Sequence, residues 1–209
     1  MKSALLEKQL RAALVHTSDA APRPMTSLEL PFKAEKILTP ALMASLRPAS
    51  VLVPVMQHAD GHTVLLTRRA DHLRSHKGQI SFPGGRRDEE DTSAAANALR
   101  EAFEEVALPP ANVEVIGYLD DYPTITRYMV TPVVGIVSGE PLLYPHEDEV
   151  AELIEVPLDF VLSPKSFERK SFMRGGLKVP FYELNFEAHR IWGATAGMLW
   201  NLSQKFNQS

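Results

Sequence analysis

The feature that most constrains the fold is a helix that lies between two chain-breaking signals. Pro83-Gly84-Gly85 precedes it and Pro109-Pro110 follows it. Between these turns, the spacing of apolar residues predicts a helix over about Thr92–Val106, with Asp91 or Thr92 as the N-cap. The residues predicted to form its buried stripe are Leu99, Ala102, Phe103 and Val106.

Short apolar runs on both sides of this helix predict strands. The predicted strands are 50–56, 62–67, 79–82, 113–119, 129–137, 151–156 and 179–186, and further helices are predicted at 3–15, 40–46, 158–162 and 192–206. Strands dominate the middle of the chain and helices lie between and after them, so the class is α/β or α+β. We expect residues 1–45 to form an N-terminal helix and linker, and residues 46–209 to form the domain.

Composition excludes several kinds of site. The chain has 209 residues and no cysteine, which rules out disulfides, thiolate metal sites and cysteine nucleophiles. Its net charge of −4 argues against broad nucleic-acid binding. No apolar run approaches the roughly 18 residues of a membrane span, and charged residues interrupt residues 1–15 where a signal peptide would be apolar. We therefore expect a cytoplasmic protein without membrane partners; a weaker alternative is that residues 1–15 target an organelle.

Three carboxylates on the central helix suggest chemistry. At positions i, i+3 and i+4, Glu101, Glu104 and Glu105 are predicted to converge on the face opposite the apolar stripe. Like charges at this spacing repel, whereas a hard cation such as Mg²⁺ prefers carboxylate oxygens. Arg100 lies four residues before Glu104 and can hold that side chain in place. A solvated acidic helix face is the alternative.

The segment GGRRDEEDTSAAANALREAFEEVAL, residues 84–108, resembles the Nudix box. The matching residues are Gly85, Arg100, Glu101, Ala102, Glu104, Glu105 and Leu108. The segment departs from the pattern in three ways: Asp91 replaces a Glu, one extra residue precedes Arg100, and Ala107 replaces a Gly. The Arg-Glu-x-x-Glu-Glu core is intact.

Flanking segments resemble the coenzyme A pyrophosphatases of that family. They are LLTRRADHLRSHKGQISFPGG at 65–85, VTPVVG at 130–135, EDEV at 147–150 and WGATAGML at 192–199. The resemblance implies a Nudix fold, with a mixed β-sheet sandwiched between α-helices. It also implies Mg²⁺ or Mn²⁺ bound by Glu101, Glu104 and Glu105, and hydrolysis of coenzyme A to phosphopantetheine and adenosine 3′,5′-bisphosphate, with thioesters as possible further substrates.

Other residues could complete such a site. A basic segment and the glycine turn are predicted to bind the substrate phosphates: Arg68, Arg69, Arg74, His76, Lys77, Gly84 and Gly85. The general base would be Glu104 or a residue of the turn 147–149, with Glu149 as its candidate. Phe82 is expected in the core, and Tyr182 and Trp192 either stack on a base or lie in the core. ADP-ribose or NADH as substrate, a catalytically silent ligand sensor, and a homodimer stay open.

Overall fold

The computed structural model describes residues 2–20, 39–73, 76–124, 126–174 and 177–208. Most of the predicted linker lies outside these residues, as does Arg74. The helices are α1 (Lys2–Leu14), α2 (Pro40–Ser45), α3 (Ala94–Val106), α4 (Leu158–Leu162) and α5 (Ala194–Gln208). The strands are β1 (Arg47–Gln57), β2 (His62–Arg69), β3 (Ile80–Ser81), β4 (Gly84–Arg86), β5 (Val113–Tyr118), β6 (Tyr122–Pro123), β7 (Tyr128–Val137), β8 (Val150–Pro157), β9 (Glu168–Arg174), β10 (Leu177–Phe186) and β11 (His189–Trp192).

A mixed eight-stranded sheet organises the chain. Its order is β3-β2-β1-β7-β5, and β4, β6 and β8 pair with β1, β7 and β2. β1 and β7 are parallel, whereas the other pairs are antiparallel. β9, β10 and β11 form a second, antiparallel sheet. The predicted mixed sheet with helices on its faces is confirmed. Among the described residues, no helix is long and apolar enough to cross a bilayer.

The two faces of the large sheet carry separate cores. On one face, Leu52 and Met56 of β1 pack with the alanines of α3. On the other face, Val53 and Val55 pack in a larger cluster that includes residues of α1, α4 and α5. Leu10 of α1 is fully buried there, so the N-terminal helix contributes to the core of the chain.

The central helix is rotated from its predicted orientation. Phe103, predicted to be buried, is 53% exposed, whereas Glu105 is only 7% exposed. Ala102 and Val106 of the predicted stripe are buried as expected, and Leu99 is partly buried against the same core. The other buried residues of the helix are Ala94, Asn97, Ala98 and Glu105. Small alanine side chains let a helix lie close to a sheet, and the face of α3 that packs against β1 is therefore turned away from Phe103 and toward Ala94, Ala98 and Ala102. The predicted N-cap is also wrong, because the Ser93 hydroxyl accepts from the Ala96 amide at 3.0 Å.

Short strands were the elements that the sequence did not predict. Gly84–Arg86, interpreted as a turn, is strand β4 and pairs with β1. β6, β9 and β11 were also absent from the prediction, and Trp192 ends β11 instead of opening α5. β4, β6 and β11 contain two to four residues, too few to show a clear alternation. β9 has seven residues, but only Phe172 and Met173 are apolar and they are adjacent, so it shows no alternation either.

The C-terminal end of α3 has an unusual backbone. Ala107 adopts a left-handed conformation with φ of 56°, and its amide donates to the Phe103 carbonyl at 2.9 Å. A residue with a Cβ is strained in this region, where glycine is not.

Replacing Ala107 with glycine should therefore stabilise the protein. We expect Ala107→Gly to raise the free energy of unfolding by about 0.5–1 kcal/mol, which is roughly 1–4 °C in melting temperature. The matched control is Ala96→Gly inside the same helix, which should lower the free energy of unfolding by about 1 kcal/mol. Thermal denaturation followed by circular dichroism measures both, and a lower melting temperature for Ala107→Gly would contradict the strain.

Candidate active site

Gly84 lies where β4 meets β1. Its φ is +154°, and a Cβ built there would be 2.5 Å from the Ser50 carbonyl oxygen and 2.6 Å from the Val51 Cα. Any side chain at this position would collide with the backbone of β1. The absence of a side chain thus lets β4 pair with β1 directly above the end of α3.

Gly85 provides room for the first of the predicted catalytic carboxylates. A Cβ at Gly85 would lie 2.5 Å from Oε2 of Glu101. The Glu101 carboxylate therefore rests against the backbone of β4, and its side chain is only 17% exposed. Burial raises the pKa of Glu101, the Arg100 guanidinium opposes this effect, and Glu104 and Glu149 add to it.

Arg100 connects the acidic side chains. Its guanidinium donates to Asp91 through Nε at 3.1 Å and Nη2 at 3.0 Å, to Glu101 at 2.9 Å and to Glu104 at 3.0 Å. These bonds to Arg100 hold the pKa of Asp91 below its ordinary value. Asp91, which replaces the glutamate of the box, thus faces Arg100 and orients it. Glu104 points outward and is 56% exposed.

Glu105 is the most buried of the three glutamates. The Gly84 amide donates to its carboxylate at 3.4 Å. Burial raises the pKa of Glu105 to about 8, with further contributions from the negative charges of Glu149 and Glu101. A carboxylate in this position gains strongly from a nearby cation.

Glu149 approaches the site from a separate loop. The backbone of this loop is bound to the end of α3, since the Tyr144 amide donates to the Val106 carbonyl at 3.0 Å and the His146 amide to the Glu105 carbonyl at 2.8 Å. The Glu149 carbonyl accepts from the Ala70 amide at 2.8 Å. The loop is therefore fixed to both the acidic helix and the end of β2.

The basic segment divides into residues with different surroundings. Arg68 donates to Glu152 at 2.9 Å and to Asp71 at 3.2 Å, so it already has protein partners. Arg69 lies near Glu105 and offsets part of the rise in pKa that burial causes. Its Nε is buried and has no hydrogen-bond partner among the described residues. His76 and Lys77 are exposed.

A cavity of about 370 Å³ lies beside these residues, and its walls include Arg69, His76 and Ser81. Most of the other walls are aromatic or aliphatic: Phe82, Tyr122, Phe172, Phe181, Tyr182 and Trp192 contribute rings. Tyr182, moreover, stacks on Trp200 with centroids 4.6 Å apart. The structure thus places the acidic residues, a half-buried arginine and an apolar cavity next to one another.

Sequence reasoning did not find two residues that organise the site. Asn97 is fully buried, and its amide donates to the Arg86 carbonyl at 3.1 Å, which ties β4 to α3. The ion pair between Asp91 and Arg100 was not predicted either. The sequence does contain a signal for Asn97, because it is the one polar residue among the alanines at the start of α3, three positions before Arg100.

The carboxylates fit a divalent cation by their chemistry. Glu101, Glu105 and Glu149 bring negative charge together in a half-buried place, and no described basic residue neutralises all three. Oxygen ligands of this kind suit Mg²⁺ or Mn²⁺. In their present positions, no three acidic or histidine side chains of the described residues form a set ready to hold a metal ion, so some side-chain movement would accompany binding.

Comparison with known proteins identifies the family. A family model described as the NUDIX domain matches residues 46–174. The chain belongs to the Nudix family. A protein from Pectobacterium atrosepticum, named "Uncharacterized Nudix hydrolase NudL", is 45% identical to this chain over 162 residues, which cover 75% of this chain and 81% of that protein. A Yersinia pestis protein of the same name is 41% identical over 180 residues, covering 85% and 89%.

Among solved structures, the MutT protein from Methanosarcina mazei Go1 matches with a TM-score of 0.49 and 16% identity, over 78% of this chain and 95% of that one. Membership in the Nudix family supports hydrolysis of a pyrophosphate bond in a small nucleoside diphosphate-linked substrate.

The pKa of Glu105 predicts how the metal-free Nudix chain responds to pH. The folded-state pKa of about 8 lies above the ordinary value of 4.5. The folded chain therefore keeps a proton that the unfolded chain has released, and the free energy of unfolding falls as the pH rises between these two values. In EDTA, we expect a decrease of roughly 1–3 kcal/mol between about pH 6 and about pH 8.5.

Glu105→Gln should remove most of this decrease, and the exposed Glu90→Gln should not change it. Adding Mg²⁺ should also reduce the decrease, because a cation favours the charged carboxylate. Urea denaturation at each pH gives the free energies. Equal pH dependence for the native chain and Glu105→Gln would contradict the buried, protonated state.

Proposed function

We propose that the chain is a metal-dependent pyrophosphohydrolase that cleaves coenzyme A into phosphopantetheine and adenosine 3′,5′-bisphosphate, with thioesters of coenzyme A as further substrates. The observation that supports this most is the convergence of Glu101, Glu105 and Glu149 beside Arg69 and the Gly84-Gly85 backbone. This arrangement brings anionic groups for a cation and a cationic group for a diphosphate to the same place.

Each residue has a distinct part in the proposed reaction. Glu101, Glu104 and Glu105 would hold Mg²⁺ or Mn²⁺, which neutralises diphosphate charge and makes a water more acidic when it is bound. Arg100 positions Glu101 and Glu104 through the hydrogen bonds described above. A carboxylate would accept the proton of the attacking water, and either Glu149 or Glu104 can serve as this base.

Arg69 is our first candidate for binding the diphosphate, because its buried Nε has no hydrogen-bond partner among the described residues. Burying an unpaired donor is unfavourable unless a ligand satisfies it. Of the other proposed phosphate contacts, Lys77 and His76 are exposed and available to the substrate, whereas Arg68 is engaged by Glu152 and Asp71.

Coenzyme A as the substrate rests on the flanking segments that resemble coenzyme A pyrophosphatases, LLTRRADHLRSHKGQISFPGG above all. That segment contains most of β2, all of β3 and the first two residues of β4, and it supplies Arg69. ADP-ribose or NADH is the alternative substrate. A silent sensor is disfavoured because Glu105 is buried beside two other carboxylates, an arrangement that binding alone does not require.

The proposed reaction predicts the effect of replacing the carboxylates. Glu101→Gln and Glu105→Gln should each lower kcat by about two orders of magnitude or more, because they remove charge and keep shape. Exposed Glu90 in the preceding turn provides the control, and Glu90→Gln should keep native kcat. EDTA should abolish turnover and Mg²⁺ or Mn²⁺ should restore it. Native kcat in either Gln variant at saturating metal, or turnover after exhaustive chelation, would refute the proposed reaction.

A further prediction concerns the 3′-phosphate of coenzyme A. One charge-assisted contact selective for it should make kcat/KM for coenzyme A about tenfold higher than for dephospho-coenzyme A, which corresponds to ~1.4 kcal/mol. Lys77 is our candidate for this contact. Lys77→Ala should remove most of the difference without affecting the dephospho compound, and Lys165→Ala, at an exposed lysine that does not line the cavity, should change neither value. Equal kcat/KM for the two substrates would reject 3′-phosphate recognition and leave the pyrophosphohydrolase standing.

A further inference from the structure

One row of side chains along α3 faces β4 from one end of that strand to the other. Its members are four residues apart and therefore lie on one side of the helix: Asn97, Glu101 and Glu105. In the same order, they contact the three residues of β4: Arg86, Gly85 and Gly84. Two of the proposed metal ligands thus share their row with a single neutral amide, the side chain of Asn97.

Asn97 does not stabilise α3 by itself. Asparagine has a lower helix propensity than the alanines on either side of it. The Asn97 side chain is fully buried, and its Oδ1 has no hydrogen-bond partner among the described residues. A buried acceptor without a partner is unfavourable. What Asn97 contributes therefore depends on the other end of its amide, where Nδ2 donates to the Arg86 carbonyl at 3.1 Å.

β4 depends on contacts with α3. The strand has three residues, and in the described part of the chain it pairs with β1 alone. Strands this short add little stability of their own. The Arg86 carbonyl accepts a second, longer hydrogen bond from Arg100 at 3.4 Å, so the bond from Asn97 is the closer of the two. Because Gly85 precedes Arg86 directly, a shift of Arg86 would also move the backbone against which Glu101 rests.

We propose that Asn97 is a positioning residue for the metal site, acting through its hydrogen bond to the Arg86 carbonyl. The inference rests on the proposed function, because that function assigns Glu101 and Glu105 to a divalent cation. The bond holds β4 close to α3 and so keeps the two carboxylates confined between helix and strand. Without it, β4 would move away and both side chains would gain freedom. A cation would then have to order them as it binds, which lowers its affinity.

The test measures the binding of Mn²⁺ alone, without substrate. Electron paramagnetic resonance follows free Mn²⁺ as the metal-free chain is added, which gives Kd. Asn97→Ala and Asn97→Leu both remove the donor, and leucine also keeps the space filled. Each variant should raise Kd for Mn²⁺ about tenfold or more, as expected when the support of a metal ligand is lost. Circular dichroism confirms that both variants are folded.

Ser93→Ala is the matched control, because it weakens the same helix at a place that has no hydrogen bond to β4 among the described residues. The Ser93 hydroxyl accepts from the Ala96 amide at 3.0 Å and caps α3. Its loss should lower the melting temperature by a few degrees and leave Kd for Mn²⁺ unchanged.

Turnover gives a second readout that a loss of stability alone would not change. Asn97→Ala should need about tenfold more Mg²⁺ than the native chain for half-maximal rate, and it should keep most of the native kcat at saturating Mg²⁺. A positioning role makes the metal bind more weakly, whereas the bound metal still supports the reaction.

Two outcomes would overturn the inference alone. One is native Kd for Mn²⁺ in both Asn97 variants. The other is an equal rise of Kd in Ser93→Ala, which would assign the effect to the stability of α3. No binding of Mn²⁺ by the native chain at millimolar concentrations would overturn the metal-dependent reaction and the inference together. Weaker Mn²⁺ binding in the Asn97 variants, without hydrolysis of coenzyme A by the native chain, would reject the proposed substrate and support the role of Asn97.

Discussion

Repulsion between carboxylates is the constraint around which the site is built. Glu101, Glu104 and Glu105 fall within five consecutive residues of one helix, and a fourth carboxylate, Glu149, is near enough to raise the pKa of Glu105 further after burial has raised it. Arg100 offsets this repulsion on one side through its bonds to Asp91, Glu101 and Glu104. Glu105 has no such partner in the described part of the chain. The Glu105 carboxylate accepts only a weak hydrogen bond from the Gly84 amide, at 3.4 Å. A cation bound next to Glu105 would therefore lower the electrostatic energy of the site most.

The packing of α3 follows from the same arrangement. The helix buries small residues, Ala94, Ala98 and Ala102, against β1, and it leaves Phe103 largely exposed. A larger stripe would hold the helix farther from the sheet. The close approach allowed by the alanines, together with the two glycines of β4, brings the glutamates against backbone. The orientation of α3 that places Glu101 and Glu105 against backbone thus leaves the Phe103 ring exposed, and the helix lacks the stabilisation that burying this ring would contribute.

Periodicity predicted the long elements well, and α4 was predicted with its observed bounds. It failed where the structure depends on contacts between residues that are distant in the sequence. Leu99 and Phe103 follow helical spacing as well as Ala98 and Ala102 do, so the spacing alone could not show which side faces the sheet. The strands β4, β6 and β11 form because longer neighbours offer them a pairing edge, a contact between distant residues that no short window of sequence contains. Of the site residues, the glutamates and Arg100 came from the motif, whereas the partnership of Asp91 with Arg100 depends on three-dimensional proximity.

The loop that carries Glu149 is attached to α3 by two backbone hydrogen bonds, from Tyr144 to Val106 and from His146 to Glu105. Surface loops usually tolerate insertions, because each added residue changes the entropy of closure only slightly. Here the number of residues between His146 and Glu149 fixes where a carboxylate stands relative to the helix. Variation in loop length should therefore be confined to the part before Tyr144, near Gly139, and proteins of this architecture should keep a constant spacing from Tyr144 to the strand that follows.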